Sequence, residues 1–381
     1  MNDTRGEALR LRPITDRRTL DDFVRVPWAL FEDDPHWVPP LVFERKEALA
    51  AKQPVFAHLD WQGWVAYRAG EAIGRITAQI DRLHLERYDD ATGFFGFVDA
   101  PDDDAVFDAL FETAEAWLIE RGMRRARGPF GLNINQEVGL LVDGFDSPPY
   151  FMMSHAHPYY AKAVERRGYA KAVDLFAYLI RADFAPPPVM ASLYARLKRE
   201  VSIRPLDPRH KDRDLAIVRD IFNDAWADNW GFVPFTAEEF RAIGHEMLMI
   251  IPPDFIQIAE MRGEPVAFIV LLPNVNEVIA DLDGRLLPFG WCKLLKRLKF
   301  GYPRTARIPL MGVRRRLHNT RYGPGLALSV VEALREPGLR MGLEEVEMSW
   351  ILESNEGMKN IIATLGGRES KRYRIYEKRL A

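Results

Sequence analysis

The 381-residue sequence predicts an α+β protein of two tandem units, 1–185 and 186–381, each a mixed, twisted sheet flanked by helices. Three observations predict it. A rhythm of hairpin, strand, glycine turn, helix, strand, helix and strand passes through the chain twice. The run Pro186-Pro187-Pro188 stands between the passes, and the length suffices for two domains that each bury a core. The repeat is one of structure, not of residues.

In the first pass, Gly63–Tyr67 and Ala72–Asp81 are strand-like around the turn Arg68-Ala69-Gly70-Glu71, a hairpin signal. Gly93–Val98 is a third strand. Asp102–Asp104 can cap a helix over Ala105–Arg121, where Val106, Leu110, Ala114, Trp117 and Leu118 form an apolar stripe at helical spacing. Arg125–Phe130 reads as a short strand, Pro158–Arg167 as a helix stopped by Gly168, and Ala172–Ile180 as the last strand.

The second pass opens with a short helix at Ala191–Glu200. Asp214–Ala227 and Thr236–Met247 follow as helices, the latter with Thr236 and Glu239 spaced as a capping box. Phe255–Met261 and Pro265–Leu272 make a hairpin around Arg262-Gly263-Glu264. Val275–Asp281 and Arg307–Val313 are the next strands, then a helix over Leu326–Leu334, a strand Glu345–Ile351, a helix Asn355–Leu365 and a strand Tyr373–Lys378.

Composition narrows the function. Hydrophobic residues at 48% and charged residues at 28% describe a globular chain, and the net charge of −3 argues against bulk attraction to nucleic acid. The single cysteine, Cys292, excludes an intramolecular disulfide framework and a cysteine-rich zinc site, and suits a reducing cytoplasm. The N-terminus has no apolar stretch of signal-peptide type, and no run of apolar residues approaches a membrane span. Charge is uneven, however: Arg285 to Arg321 holds eleven Lys and Arg residues and no acid. That run either meets something anionic or is a solvated basic face.

Within it lies the turn Arg314-Arg315-Arg316-Leu317-His318-Asn319-Thr320-Arg321-Tyr322-Gly323-Pro324-Gly325, between a strand and a helix. A glycine turn that opens a helix leaves backbone N–H groups unpaired at the positive end of the helix dipole, which suits a pyrophosphate. Arginines add charge-assisted donors for phosphate oxygens. The first pass has no comparable turn, since Gly122 follows its helix instead of opening it.

The second unit resembles the GNAT acyltransferase superfamily. There a strand leads into an Arg/Gln-x-x-Gly-x-Gly/Ala turn that binds the pyrophosphate of coenzyme A, and a later Asn begins a helix ending in a Gly-Phe pair. Gly323-Pro324-Gly325 matches the turn, Val313 the end of the strand, and Asn355 with Gly366 the helix. The sequence departs at Thr320, which occupies the usual Arg/Gln position with Arg321 one place late, and at Gly367, which replaces the Phe. Ile362 stands where many members carry a tyrosine general acid. The resemblance implies acyl-coenzyme A as co-substrate, met by Val313, Arg314, Arg321, Gly323, Gly325, Leu326 and Asn355. It brings no tyrosine acid.

The whole chain is similar to a bacterial family of tandem GNAT-like N-acyltransferases, sometimes labelled dATP pyrophosphohydrolases. The shared stretches are Asp34–Pro40, Gly74–Ile76, Gly93–Phe97, Gly128-Pro129, Asn133–Gly139 and Asn223–Phe232. That family includes the bacterial ceramide synthases, which join a fatty acyl group from coenzyme A to the amine of a sphingoid base. No Glu-rich helix of the kind that binds magnesium in nucleotide pyrophosphatases is present. The expected chemistry is acyl transfer to an amine, with unit 1–185 as an acceptor wall and unit 186–381 as the acyl-coenzyme A site.

Acyl transfer to an amine needs a deprotonated nitrogen, donors for the oxyanion and a proton for the leaving thiolate. Glu137, in the loop Gly128–Phe145, is the carboxylate expected to enter a partly dry site as base, against a role as a salt-bridged loop residue. Asn133 and Asn135 can donate amides to the oxyanion or to substrate hydroxyls, or simply form turns. In Ser154-His155-Ala156-His157-Pro158-Tyr159-Tyr160, Tyr159 is a candidate proton donor whose competing role is packing. The H-x-H pair lacks an evident third ligand, so no metal is expected. The family usually carries Asn, not His, at position 155. Asn223, Trp226, Asn229 and Trp230 are expected to bind substrate, the two Trp on one helical face lining an alkyl groove.

Finally, Asp283–Pro303 interrupts the second unit where GNAT domains have a tight connection. Trp291, Leu294, Leu295 and Leu298 share one face of a short helix with Lys293, Lys296, Arg297 and Lys299 around it. Such a helix suits peripheral contact of 289–300 with an anionic membrane, at the inner face of the cytoplasmic membrane, or packing on its own domain. Two further readings stay open: acetylation of a small soluble amine or a protein lysine, and a silent acyl-coenzyme A sensor.

Overall fold

The computed structural model describes residues 8–185, 187–320 and 322–381. It forms two compact units: Met1–Leu175 with Ile279–Gly290 and Lys371–Ala381, and Phe176–Val278 with Trp291–Ser370. A linear cut at 185/186 cannot express that division, because segments 279–290 and 371–381 lie in the first unit. Burial alternates along Arg368–Arg379: Lys371, Tyr373, Ile375 and Tyr376 are buried, whereas Arg368, Glu369 and Arg379 are exposed.

In the first unit, Arg10–Pro13, Leu59–Arg68, Glu71–Asp81 and Thr92–Asp99 pair antiparallel in that order, and Arg125–Gly128 joins Thr92–Asp99 in parallel. The chain's last strand then pairs antiparallel with Arg125–Gly128. The expected hairpin turns at Ala69 and Gly70, whose φ of 55° and 83° match the two left-handed positions of a tight hairpin turn. The helix Asp104–Glu120 buries Val106, Phe107, Leu110, Phe111, Ala114 and Leu118, close to the predicted stripe. An N-terminal helix, Arg17–Leu30, was not legible in the sequence; Asp16 and Thr19 cap it reciprocally, and it buries Phe23, Val24 and Val26 despite the internal Pro27.

The second unit orders its strands Val201–Pro205, Ile256–Met261, Glu264–Pro273, Thr305–Val313 and Glu345–Leu352, the last pair parallel and the others antiparallel. The helix after the glycine turn runs Gly323–Arg340, longer than expected at both ends. The strand expected at Val275–Asp281 is helical instead, as Asn276–Ile279 and Ala280–Leu282. Its buried residues explain why: Val275, Val278, Ile279 and Leu282 repeat at helical, not strand, spacing.

One charge cluster locks the start of this unit. Asp214 is fully buried and accepts from Arg204 Nη1 at 2.7 Å, Arg213 Nε at 2.9 Å and the Asp207 N–H at 2.8 Å. Burial pushes its carboxyl pKa up, but those hydrogen bonds outweigh burial and pull it down to about 2. A carboxylate with a depressed folded pKa stabilises fully above its unfolded value near 3.8, and that contribution disappears as pH falls toward 2. Asp214→Asn is therefore expected to lower the thermal midpoint at pH 7, with the gap from the parent closing between about pH 4 and 2. A pH-independent gap in thermal unfolding would show that the carboxylate charge is not what holds this corner.

Candidate active site

In the second unit, the strands Thr305–Val313 and Glu345–Leu352 run parallel, but their pairing stops early. The register covers Thr305↔Glu345 through Ile308↔Met348, while both strands continue. The next residue, Pro309, has no N–H to give a ladder. Past it the strands part, and Pro309, Leu310 and Met311 on one side and Trp350 and Ile351 on the other are only half-buried. Trp226 stands at this opening. Its indole N–H donates to the Met311 carbonyl at 2.9 Å, and its ring meets Trp350 edge-on with centroids 5.8 Å apart.

The root of the opening is braced by charge. Arg307 and Glu347 face each other in register. Arg307 donates to Ser349 Oγ at 2.7 Å and to the Ser349 carbonyl at 3.2 Å, and Ser349 Oγ donates to Glu347 at 2.5 Å. Both charged residues are buried, at 4% and 0% exposure, where unpaired charge would be costly. The sequence reading passed over all three residues and Pro309; only the proline inside a strand-like run signalled anything.

The glycine turn lies at the far end of Thr305–Val313. The helix Gly323–Arg340 has no side-chain N-cap and no acid in its first turn. Gly323 donates to the Thr320 carbonyl at 3.3 Å, Leu326 to the Tyr322 carbonyl at 2.8 Å, and Pro324 carries no N–H. With Gly323 and Leu326 bonded within the chain and Pro324 lacking an N–H, an anion here meets the helix dipole with fewer of these groups than expected. Gly325 also has a packing reason to be glycine: a Cβ there would stand 2.5 Å from Leu197 Cδ1.

The arginines are engaged elsewhere. Arg314, expected on phosphate oxygens, pairs with Asp220 at 2.5 Å; Arg315 pairs with Asp228 at 3.1 Å, and Arg316 with Glu264 at 2.5 Å. Arg314 and Arg316 with Asp224, Glu264 and Pro265 line a cavity of about 350 Å³. Arg321 lies outside the described residues. The Val313 carbonyl meets His318 Nε2 at 2.6 Å, and Asn355 caps its helix by accepting the Met358 N–H at 3.0 Å.

The first unit repeats the parallel pair but closes it. Thr92–Asp99 and Arg125–Gly128 pair from Thr92↔Arg125 to Phe94↔Arg127. Beyond, the Phe130 N–H bonds to the Phe95 carbonyl at 2.9 Å, and the Phe130 carbonyl accepts from Gln79 at 3.2 Å. Its following helix opens with Asp102, Asp103 and Asp104, and Asp103 already caps the Ala105 N–H at 2.9 Å. An acidic, satisfied helix start repels a diphosphate.

The loop of the first unit is held by its own bonds. Asn133, 3% exposed, accepts the Asn135 N–H at 3.1 Å, and the Gly131 N–H reaches the Glu137 carbonyl at 2.7 Å. Leu132 adopts φ 89°, a strained value for a branched residue. Glu137 is ion-paired with Arg45 instead of standing alone in an apolar site. Burial works against the Arg45 charge, but Glu137 and Glu44 more than offset it and hold the guanidinium protonated. Tyr159 donates to the Ala100 carbonyl at 2.8 Å, and burial pushes its hydroxyl pKa up, which fits packing better than proton donation.

His155 pairs with Asp34 at 2.8 Å and His157 with the Leu30 carbonyl at 2.8 Å; among the described residues no group of metal-ligating side chains is assembled. Asn223 is a clamp: its carboxamide donates to and accepts from the Phe235 backbone, both at 3.0 Å. The expectation of Trp226 and Trp230 on one helical face fails, because the helix Lys211–Ala225 stops at Ala225. Trp226 caps it, and Asn229 and Trp230 lie in the turn beyond, where the Asn229 N–H donates to the Trp226 carbonyl at 2.9 Å.

No family model matches the chain. It is 50% identical over 371 residues to Protein YghO of Escherichia coli (strain K12), covering 97% of this chain and 95% of that protein. It is 42% identical over 381 residues to the bacterial ceramide synthase of Caulobacter vibrioides (strain NA1000 / CB15N), covering 99% of each. Among solved structures, a tandem GNAT protein from the clavulanic acid biosynthesis pathway superposes with a TM-score of 0.58 at 13% identity, covering 98% of this chain and 99% of that one. The fold is that of tandem GNAT proteins.

Proposed function

Because the chain belongs to the bacterial ceramide synthase family, and is thus an acyltransferase, we propose that it moves a long-chain fatty acyl group from acyl-coenzyme A to the amine of a sphingoid base. The observation that carries the donor half is the open parallel pair beyond Ile308 and Met348, beside a helix N-terminus free of acid. Main-chain groups of a parting strand can hydrogen-bond the extended amide chain of pantetheine as an added strand would. The diphosphate would lie at Gly325 and the start of its helix, with Val313, Gly323, Leu326 and Asn355 framing that end.

In the proposed reaction the amine nitrogen attacks the thioester carbonyl, forming the C–N bond. The tetrahedral oxyanion then collapses, the C–S bond breaks, and coenzyme A leaves as a thiolate that takes up a proton. The thioester is already activated, so positioning and a modest base suffice. The amine proton passes to Glu137, on opening of its ion pair with Arg45, or to water, and Asn133 and Asn135 are the proposed donors to the acceptor. Trp226, with Asn223, Asn229 and Trp230 around it, supports an apolar acceptor. A lipid substrate also implies peripheral contact of 289–300 with the inner face of the cytoplasmic membrane; no described helix is long and apolar enough to cross one.

Purified protein given palmitoyl-coenzyme A and sphinganine is expected to release free thiol, and acetyl-coenzyme A to release little. Release from acetyl-coenzyme A alone, with a small amine, would replace the lipid reading; tight binding without release across an amine panel would leave only a sensor. Glu137→Gln in the same assay should lower turnover with acyl-coenzyme A affinity unchanged. A rate equal to the parent removes Glu137 as base.

A further inference from the structure

The interrupting segment is not arranged as its sequence suggests. The helix Gly290–Phe300 turns Leu294 and Leu298 partly inward and is tied down by Arg297, which donates to the Val278 carbonyl at 2.7 Å. Trp291 and Leu295, one turn apart, remain 49% and 59% exposed. Ahead of them, Leu287 and Phe289 are 78% and 73% exposed, among the most exposed large apolar side chains of the described residues.

These residues are presented by a fixed support. The Val42 N–H bonds to the Gly284 carbonyl at 3.1 Å, and Trp28 donates its indole N–H to Asp283 at 2.7 Å. Gly284, at φ 70°, sits so close that a Cβ would stand 2.5 Å from the Trp28 ring. The chain thus leaves a pinned turn and immediately exposes apolar bulk. Charge accompanies it: Asp283 is the last acid before Glu332, and Arg285, Lys293 and Lys296 are exposed within the segment.

We propose that Leu287 and Phe289 form a wedge that enters the interfacial layer of an anionic bilayer, with Arg285 meeting its headgroups. Exposed Phe and Leu favour that layer, and the absence of acids removes repulsion from anionic lipid. A protein partner of ordinary surface composition would give such a run no reason to exclude every acid. The wedge deepens the lipid-acceptor reading and rests on it for its purpose, but it is tested without turnover.

The single cysteine, Cys292, is exposed inside the segment and accepts an environment-sensitive fluorophore. The labelled full chain should partition to vesicles of phosphatidylcholine mixed with phosphatidylglycerol, with a blue shift, and hardly to phosphatidylcholine alone. Salt should weaken the effect. The pair Leu287→Ser and Phe289→Ser should reduce partitioning about tenfold or more in sedimentation of unlabelled protein, with the thermal midpoint unchanged because both side chains are exposed. Equal partitioning to both vesicle types, none to either, or no loss in the paired variant overturns the wedge. So does a concentration-dependent dimer that the paired variant abolishes, which would give the patch to a second copy. Acyl transfer in detergent solution should match the parent, so a failed wedge leaves the transfer reading standing.

Discussion

Pro324→Asp is expected to weaken coenzyme A binding at least tenfold while leaving the protein as stable as the parent. Pro324 is exposed at the first turn of Gly323–Arg340, so a carboxylate there meets no steric obstacle. For the fold, an acid in the first turn gains about 0.3–1 kcal/mol from the helix dipole, and loss of the proline's fixed φ costs about the same. For a diphosphate at this helix start, each like-charge pair at ~5 Å costs roughly 1–3 kcal/mol between the bulk-water and near-surface limits. Gly325→Asp would be a poorer choice, since any side chain at Gly325 strikes Leu197 and confounds binding with packing. Asp102→Asn, at the corresponding helix start of the first unit, should leave affinity as it was. Titration calorimetry with coenzyme A decides it: an unchanged constant in a well-folded Pro324→Asp protein moves the diphosphate away from this helix.

That choice of residue shows where the sequence was readable. Periodicity and turn chemistry located the hairpins, the helix Asp104–Glu120 and the strand leading to the glycine turn, because those signals are local. The same periodicity misled at Val275–Asp281, where Val275, Val278 and Ile279 were read as extended although their spacing, continued by Leu282, is helical. Charge was legible as a count but not as a pairing. Nothing in the run Arg314-Arg315-Arg316 says that Asp220, Asp228 and Glu264 wait beside it, some 50 to 94 positions away in sequence. Glu137 shows the same blindness, since its partner Arg45 lies 92 positions off.

Tryptophan 226 was chosen for the right neighbourhood and the wrong reason. Its type suggested an apolar groove, and it does border the parted strands, but through an N–H on a main-chain carbonyl at the end of a helix. The buried brace of Arg307, Ser349 and Glu347 could not be read at all: a strand pattern gives no hint that charged residues are fully covered unless their register partner is known.

Gly96→Ala is expected to destabilise the first unit by about 3–6 kcal/mol, enough to lower the thermal midpoint by roughly 10 °C or more or to leave the protein insoluble. A Cβ at this position would stand 1.7 Å from the Phe130 carbonyl oxygen and 2.8 Å from its carbon. The obstacle is backbone, and it cannot step aside. The Phe130 N–H is bonded to the Phe95 carbonyl at 2.9 Å, and Phe95 and Phe130 are 0% and 2% exposed. Moving the segment also takes the Phe130 carbonyl from Gln79, at 3.2 Å, and leaves a buried acceptor unmet. Gly357→Ala is the matched control, because only the Asn355 side chain comes within 3.8 Å of the added methyl; its midpoint should stay level or rise. The functional meaning is direct. The backbone of Phe130 fills in the first unit the space that stays open beyond Pro309 in the second, so a first unit that tolerates Gly96→Ala would not be closed, and the assignment of the donor to the second unit alone would fall with it.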